Sequence, residues 1–71
     1  MERTPVKSSN VRSVGYDHDR QELHVEFGSG DVYSYADVSP EKHAELMSAP
    51  SIGKHFHKHI RGTHKHSKVM G

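Results

Sequence analysis

The sequence contains no cysteine and no tryptophan, and only 31% of its 71 residues are hydrophobic. The lack of cysteine excludes a disulfide-stapled secreted module and any thiolate metal site. No run approaches the roughly 20 apolar residues that cross a bilayer, and no apolar segment typical of a signal peptide follows the amino terminus. We therefore expect a cytoplasmic location and no membrane partner. A chain of this length forms one small domain without the deep cleft of a large enzyme.

Charged residues are unevenly distributed along the chain. Residues 1–45 carry nine acidic and five basic side chains, a net charge of −4, whereas residues 46–71 carry five basic and no acidic side chains, a net charge of +5. Five of the eight histidines also lie in the second segment, so mild acidification would add positive charge there. Such a one-sided basic segment is typical of proteins that bind polyanions. The alternative interpretation is that these charges only keep the protein soluble.

Three segments show the pattern of half-buried strands. The pattern is clearest in residues 22–27, where Leu23, Val25 and Phe27 alternate with polar residues. Residues 10–17 and 32–36 are also predicted as strands, and the glycines between the second and third segments favour a tight hairpin. Because the connections are too short for parallel crossovers, the sequence predicts a three-stranded antiparallel meander.

Two short helices are predicted after the strands. Ser39 followed by Pro40 is typical of a helix start, and this helix is expected to end near Ser48. Ser51 is a second candidate N-cap, followed by apolar residues at every fourth position, and Gly62 is typical of a helix end. The predicted fold is therefore α+β, a three-stranded antiparallel meander followed by two short helices packed on one face (βββαα). The expected core consists of Val11, Leu23, Val25, Phe27, Leu46, Met47, Ile52, Phe56 and Ile60.

Several segments, taken in order, resemble the KTSC domain, a short domain at the C-terminus of some lysyl-tRNA synthetases that also occurs alone in bacterial and phage proteins. The central Tyr33-Ser34-Tyr35 matches the Tyr-x-Tyr of that family. The resemblance implies a stand-alone domain with no established catalytic activity, for which RNA binding has been suggested. Residues 9–62 are predicted to be the KTSC-like domain. Because the two ends are polar and show no periodicity, residues 1–8 are predicted to be a flexible arm and residues 63–71 a basic, histidine-rich tail. The other similar segments are residues 8–11, 14–17, 23–27, 30–32 and 49–61.

The second predicted helix carries the strongest functional candidate. Lys54, Lys58 and Arg61 are four and three residues apart, so they share one face of a helix, and His57 adjoins them. Phosphate chains bind to such ladders of cations, and arginine adds bidentate contacts. Lys65 continues the charge into the predicted tail. We expect these residues to contact RNA or another polyanion.

Tyr33 and Tyr35 are predicted to lie on one face of the sheet, because side chains alternate along a strand. On an exposed face they would stack on unpaired bases. In the core they would pack against neighbouring strands. Since the chain has few large apolar residues, at least one of the two is expected to be structural.

The start of the second helix is an alternative site, for a nucleotide or another phosphate ligand. Ser51 and Gly53 would offer free backbone N–H groups there, with Lys54 or Arg61 closing over the anion. Capping alone also explains Ser51.

Metal binding and catalysis have weaker support in the sequence. His55 and His59 are one helical turn apart and would present two imidazoles to a metal ion, and His64 and His66 would add further ligands. A firm site needs three closely placed ligands, however, and neither a His-Glu-x-x-His motif nor paired cysteines are present. We therefore expect no metal site and no cofactor. No Ser-His-Asp order and no recognisable carboxylate pair is present, so a non-enzymatic protein is expected. A protein-interaction module with an exposed edge strand is a further alternative, and the oligomeric state is left open.

Overall fold

A five-stranded antiparallel sheet and two helices make up the fold of the chain, seen here in a computed structural model that describes residues 3–8 and 10–70. The strands lie side by side in their sequence order. The helices occur between the fourth and fifth strands. The elements are β1 (Thr4–Pro5), β2 (Val11–Asp17), β3 (Glu22–Phe27), β4 (Val32–Tyr35), α1 (Pro40–Ser48), α2 (Ile52–His59) and β5 (His66–Met70).

The predicted three-stranded meander followed by two helices is wrong. The three predicted strands correspond to β2, β3 and β4, but β1 pairs with β2 at one edge of the sheet and β5 pairs with β4 at the other. Both additional strands come from segments that the sequence analysis assigned to a flexible arm and a tail. They were missed because an edge strand can be held by backbone hydrogen bonds while its side chains stay exposed. Its sequence then lacks the alternation of apolar and polar residues.

The strand register defines the face of the sheet that the helices cover. Leu23 lies opposite Tyr16 on one side and opposite Tyr35 on the other, and Val25 lies between Val14 and Tyr33. Residues directly opposite each other in an antiparallel sheet share a face. These apolar and aromatic side chains therefore form one layer, against which α1 and α2 pack with Leu46, Phe56 and Ile60.

Most of the predicted core is confirmed. Six of the nine expected core residues are buried, and Phe27, Met47 and Ile52 are partly buried against them. The structure adds four buried hydrophobic residues that the sequence analysis did not include: Val14, Val32, Tyr35 and Val38.

Both helices begin at the predicted serines. The Ser39 hydroxyl accepts a hydrogen bond from the backbone N–H of Lys42 at 3.2 Å, and the Ser51 hydroxyl accepts from that of Lys54 at 3.4 Å. Each bond satisfies a backbone donor that the first helical turn leaves free. Neither helix is long and apolar enough to cross a membrane, as far as the described part of the chain extends.

The turn before β5 is fixed by one histidine. His64 Nδ1 donates to the carbonyl oxygen of Ala36 at 2.8 Å, and its Nε2 accepts from the Lys42 ammonium group at 3.0 Å. The backbone N–H of Ala36 also donates to the carbonyl oxygen of Lys65 at 2.9 Å. Lysine can only donate, so these contacts require the neutral form of the imidazole. They hold residues 64–65 against the end of β4, where β5 starts.

Candidate functional site

A groove of about 510 Å³ opens between the helix-covered face of the sheet and α2. Four aromatic side chains line it, contributed by β3, β4 and α2. Their rings meet at steep angles, with centroids 5.8 Å apart for Phe27 and Tyr33, 5.6 Å for Phe27 and Phe56, and 5.1 Å for Tyr35 and Phe56. Such edge-to-face contacts fix the rings in place. The groove therefore has a rigid aromatic lining.

His66 of β5 adds a fifth ring to this lining. It stacks on Tyr35 with centroids 5.4 Å apart and an interplanar angle of 29°, and its centroid lies 5.8 Å from that of Tyr33. The register explains the contact, because His66 lies directly opposite Tyr35 in the β4–β5 pair. We call the five rings Phe27, Tyr33, Tyr35, Phe56 and His66 the aromatic groove.

The hydroxyl group of Tyr35 is a polar group within this lining. Only 4% of the residue is exposed. Among the residues that the structure describes, none accepts from or donates to this hydroxyl, and no fully buried side-chain polar atom lacks a partner. Tyr35 is one of the residues that line the groove. Burial raises the pKa of Tyr35 above its ordinary value of 10.0, while the nearby Arg61 cation works in the opposite direction, so the group is a neutral donor near pH 7.

Arg61 and His57 form a polar wall of the groove. The Arg61 guanidinium donates to Nδ1 of His57, with 3.1 Å between the nitrogen atoms. Arginine has no acceptor, so the Nδ1 of His57 carries no proton in this arrangement. Both side chains are exposed and remain open to further contacts.

The remaining polar lining comes from Asn10, Ser29 and Asp31. The Asp31 carboxylate accepts from the Ser29 hydroxyl at 3.2 Å and lies 3.4 Å from the Lys68 ammonium group. The ion pair with Lys68 offsets the negative charge of Asp31. Repulsion of an anion in the groove is thereby reduced.

A second cavity, of about 470 Å³, lies at the start of α2. It shares Asn10 and His57 with the aromatic groove, so the two cavities adjoin. Its cations are Lys54 and Lys58. Gly53 is buried there against Ser8, because a Cβ built on Gly53 would lie 2.8 Å from the Ser8 Oγ. The absent side chain of Gly53 thus makes room for Ser8.

The residues predicted to bind nucleic acid fall into three groups. Tyr33, Tyr35, His57 and Arg61 line the aromatic groove, and Lys54, Lys58 and again His57 line the second cavity. Lys65 is exposed in the turn before β5 and lines neither cavity. We call Lys54, Lys58 and Arg61 the cationic side of α2.

The residues of the alternative phosphate site are divided between the cavities. Ser51, Gly53 and Lys54 line the second cavity, whereas Arg61 lines the aromatic groove. The first three therefore lie together at the start of α2, and Arg61 lies beyond its end.

His55 and His59 lie on the other flank of α2, beside α1. Their ring centroids are 4.4 Å apart, and they share a small cavity of about 110 Å³ with Lys42 and Glu45. Among the described residues, no group of three or more metal-ligating side chains comes together.

Sequence reasoning missed several residues of the groove. Phe27 and Phe56 were assigned to the core alone, and His66 to a tail, while Asn10, Ser29 and Asp31 had no assigned role. Alternation places Phe27 on the same face as Tyr33 once the hairpin register is known. His66 has no comparable signal, because its position depends on the pairing of β5.

Comparison with known proteins places this arrangement in a family. Residues 7–64 match the model of the KTSC domain. A protein from Stutzerimonas stutzeri is 44% identical over 64 residues, which cover 90% of each chain. A lysine–tRNA ligase from Nostoc punctiforme is 38% identical over 63 residues, which cover 89% of this chain but 11% of the ligase.

A crystal structure supports the same assignment. The KTSC domain protein from Yersinia pestis superposes with a TM-score of 0.93 and 37% identity over 96% of both chains. The family model, the sequence relatives and this structure agree with the resemblance seen in the sequence. The chain belongs to the KTSC domain family.

Proposed function

We propose that the protein binds single-stranded RNA through the aromatic groove and the cationic side of α2. The observation that carries the proposal is the junction of these two surfaces at Arg61. This residue lines the aromatic groove together with Tyr33 and Tyr35, and it also extends the row of cations formed by Lys54 and Lys58. The bases of one strand would therefore contact the aromatic rings while its phosphates contact the adjacent cations.

The groove favours an unpaired strand over a duplex. Phe27 and Tyr33 are half-buried, so each is held by its neighbours yet keeps part of its ring accessible. Proteins that bind single strands stack splayed-out bases on such rings. In an A-form duplex the bases are stacked on each other, and recognition relies on the backbone and the 2′-hydroxyls instead.

The cationic side of α2 provides contacts for more than one phosphate. Lys54 and Lys58 are exposed and one helical turn apart, and Arg61 follows the C-cap residue Ile60. At a rise of 1.5 Å per residue, the row spans roughly 10 Å. None of the three cations pairs with a carboxylate among the described residues, so their charges are free to act on a ligand.

The relatives are consistent with contact to RNA. Three of them are lysine–tRNA ligases, enzymes that act on tRNA by their names. The chain spans about a tenth of the length of these ligases, 11% in each case, so it matches a module within them. We infer that this module contributes RNA binding, and we expect no ligase chemistry from the chain alone.

The test is binding of a fluorescently labelled single-stranded RNA, measured by anisotropy at moderate salt. We expect Lys54→Glu/Lys58→Glu to abolish binding, because two attractive contacts become repulsive. Arg3→Glu/Arg20→Glu is the matched control, since it changes the net charge equally at residues that line neither cavity. The proposal fails if the wild-type protein does not bind, or if the control loses as much affinity as the α2 variant.

A further inference from the structure

We infer that the aromatic groove binds one nucleoside monophosphate unit, its phosphate held by Tyr35 and Arg61 and its base against Phe27 and Tyr33. The inference rests on the proposed function, since it assigns a ligand unit to part of the same face. The unit can come from an RNA strand or from a free mononucleotide, which have this chemistry in common. The experiment below separates the two sources.

The Tyr35 hydroxyl is the first argument for an anion in the groove. Only 4% of Tyr35 is exposed, and the residue lines the groove. Its hydroxyl has no partner among the described residues, so the donor is available to a ligand oxygen. Phe56, 1% exposed and in edge contact with the Tyr35 ring, holds the phenol in place for such a contact.

The second argument is the charge around that hydroxyl. Arg61 lines the same groove and is close enough to influence the titration of Tyr35. A guanidinium and a neutral phenol are both donors, and together they match the several acceptor oxygens of a phosphate. The other polar groups of the groove do not repel an anion strongly. Lys68 offsets the negative charge of Asp31, and the lone pair on Nδ1 of His57 already accepts a hydrogen bond from Arg61.

The third argument is the size and lining of the groove. Its volume of about 510 Å³ falls within the roughly 300–1,000 Å³ of small-molecule sites, which is the size class of a single nucleotide. The half-buried rings of Phe27 and Tyr33 offer an apolar surface to a flat base. A phosphate alone would leave this surface uncovered, and a nucleoside alone would leave Tyr35 and Arg61 unmatched.

We would titrate adenosine 5′-monophosphate, adenosine and inorganic phosphate separately into the isotope-labelled protein and follow the signals of Tyr35 and Arg61 by NMR. We expect the monophosphate to bind at least tenfold more tightly than adenosine or phosphate. Tyr35→Phe keeps the ring and should weaken binding by about tenfold to a hundredfold, the range for hydrogen bonds to charged groups. Arg61→Gln should weaken it comparably, and because Arg61 is exposed it tests the site even if Tyr35→Phe destabilises the fold.

Arg3→Gln/Arg20→Gln serves as the control, because it also removes two positive charges and neither arginine lines the groove or the second cavity. It should leave mononucleotide affinity within about twofold. The groove assignment is overturned if the monophosphate does not shift Tyr35 and Arg61, or if both groove variants bind it as well as the wild type does. An oligonucleotide that binds the wild type and both groove variants equally also overturns it, yet leaves RNA binding standing. Mononucleotide binding without oligonucleotide binding supports the groove and contradicts the proposed function.

Discussion

Gly53 lies so close to Ser8 that a Cβ on Gly53 would stand 2.8 Å from the Ser8 Oγ. This contact joins the segment before β2 to the first turn of α2. The same Ser8 hydroxyl lies 3.5 Å from the backbone nitrogen of Val11, so it connects the helix with the start of the strand. The contact therefore positions the second cavity, which both residues line.

Gly53→Ala should stabilise the protein by less than about 1 kcal/mol, the amount by which alanine favours a helix over glycine. The added methyl group meets the Ser8 hydroxyl, so this side chain must rotate away and give up its contact with the backbone N–H of Val11. In a Ser8→Gly background the obstacle is gone, and Gly53→Ala should then stabilise the protein by the full amount of about 0.5–1 kcal/mol. A double-mutant cycle by urea denaturation measures this difference. An equal effect of Gly53→Ala in both backgrounds would show that the two residues do not interact.

His43 gives the protein a predictable pH dependence. Its ring stacks on Tyr16 with centroids 4.4 Å apart. Burial lowers the pKa of His43 below its ordinary value of 6.5, and the neighbouring His18 lowers it further. The unfolded chain therefore takes up this proton more readily than the folded protein. The contribution of His43 to the free energy of unfolding is therefore complete above about pH 6.5. It decreases as the pH falls, and the decrease stops below the pKa of His43 in the folded protein.

NMR titration of the His43 ring measures this pKa directly. We expect it below 6.5 in the wild-type protein, and higher in His18→Gln, which removes the smaller of the two causes. His18→Gln should not restore the pKa fully, because burial remains. A His43 that titrates at or above 6.5 in the folded wild-type protein contradicts this account.

Removal of residues 66–71 should destabilise the fold. The strand β5 pairs with β4 at four positions and places His66 on Tyr35. Its loss would expose the edge of β4, so we expect the free energy of unfolding to fall by more than about 1.5 kcal/mol, the net value of one hydrogen bond. The control Ser67→Ala/Val69→Ala alters two exposed side chains and keeps the backbone, so its effect should stay within about 0.5 kcal/mol per site. Thermal unfolding that is unchanged by the truncation would mean that β5 does not stabilise the domain.

The contrast between β3 and β5 explains how much of the fold the sequence could predict. The bounds of β3 were predicted from alternation, because one of its faces is buried. The starts of α1 and α2 followed from Ser39 and Ser51, since capping is local chemistry. The side chains of residues 66–69 in β5 are exposed, so this strand lacks the alternation of apolar and polar residues that would predict its pairing with β4.

The candidate site was partly predictable for the same reason. The spacing of Tyr33 and Tyr35 predicted that they lie on one face of the sheet. Helical periodicity predicted that the cations of α2 form a row on one face of the helix. The groove itself depends on the pairing register, which brings His66 to Tyr35, and on the packing of α2, beyond which Arg61 lines the same groove. These are long-range relationships, and no short motif encodes them.

The salt dependence of RNA affinity tests the central claim most directly. If Lys54, Lys58 and Arg61 each neutralise one phosphate of a single strand, the logarithm of the association constant should fall with that of the salt concentration with a slope of about −2. Lys54→Gln/Lys58→Gln should reduce the slope to about −0.7, because one phosphate contact remains. A slope near zero in the wild type, or one that is unchanged in the double variant, would contradict RNA binding through the cationic side of α2.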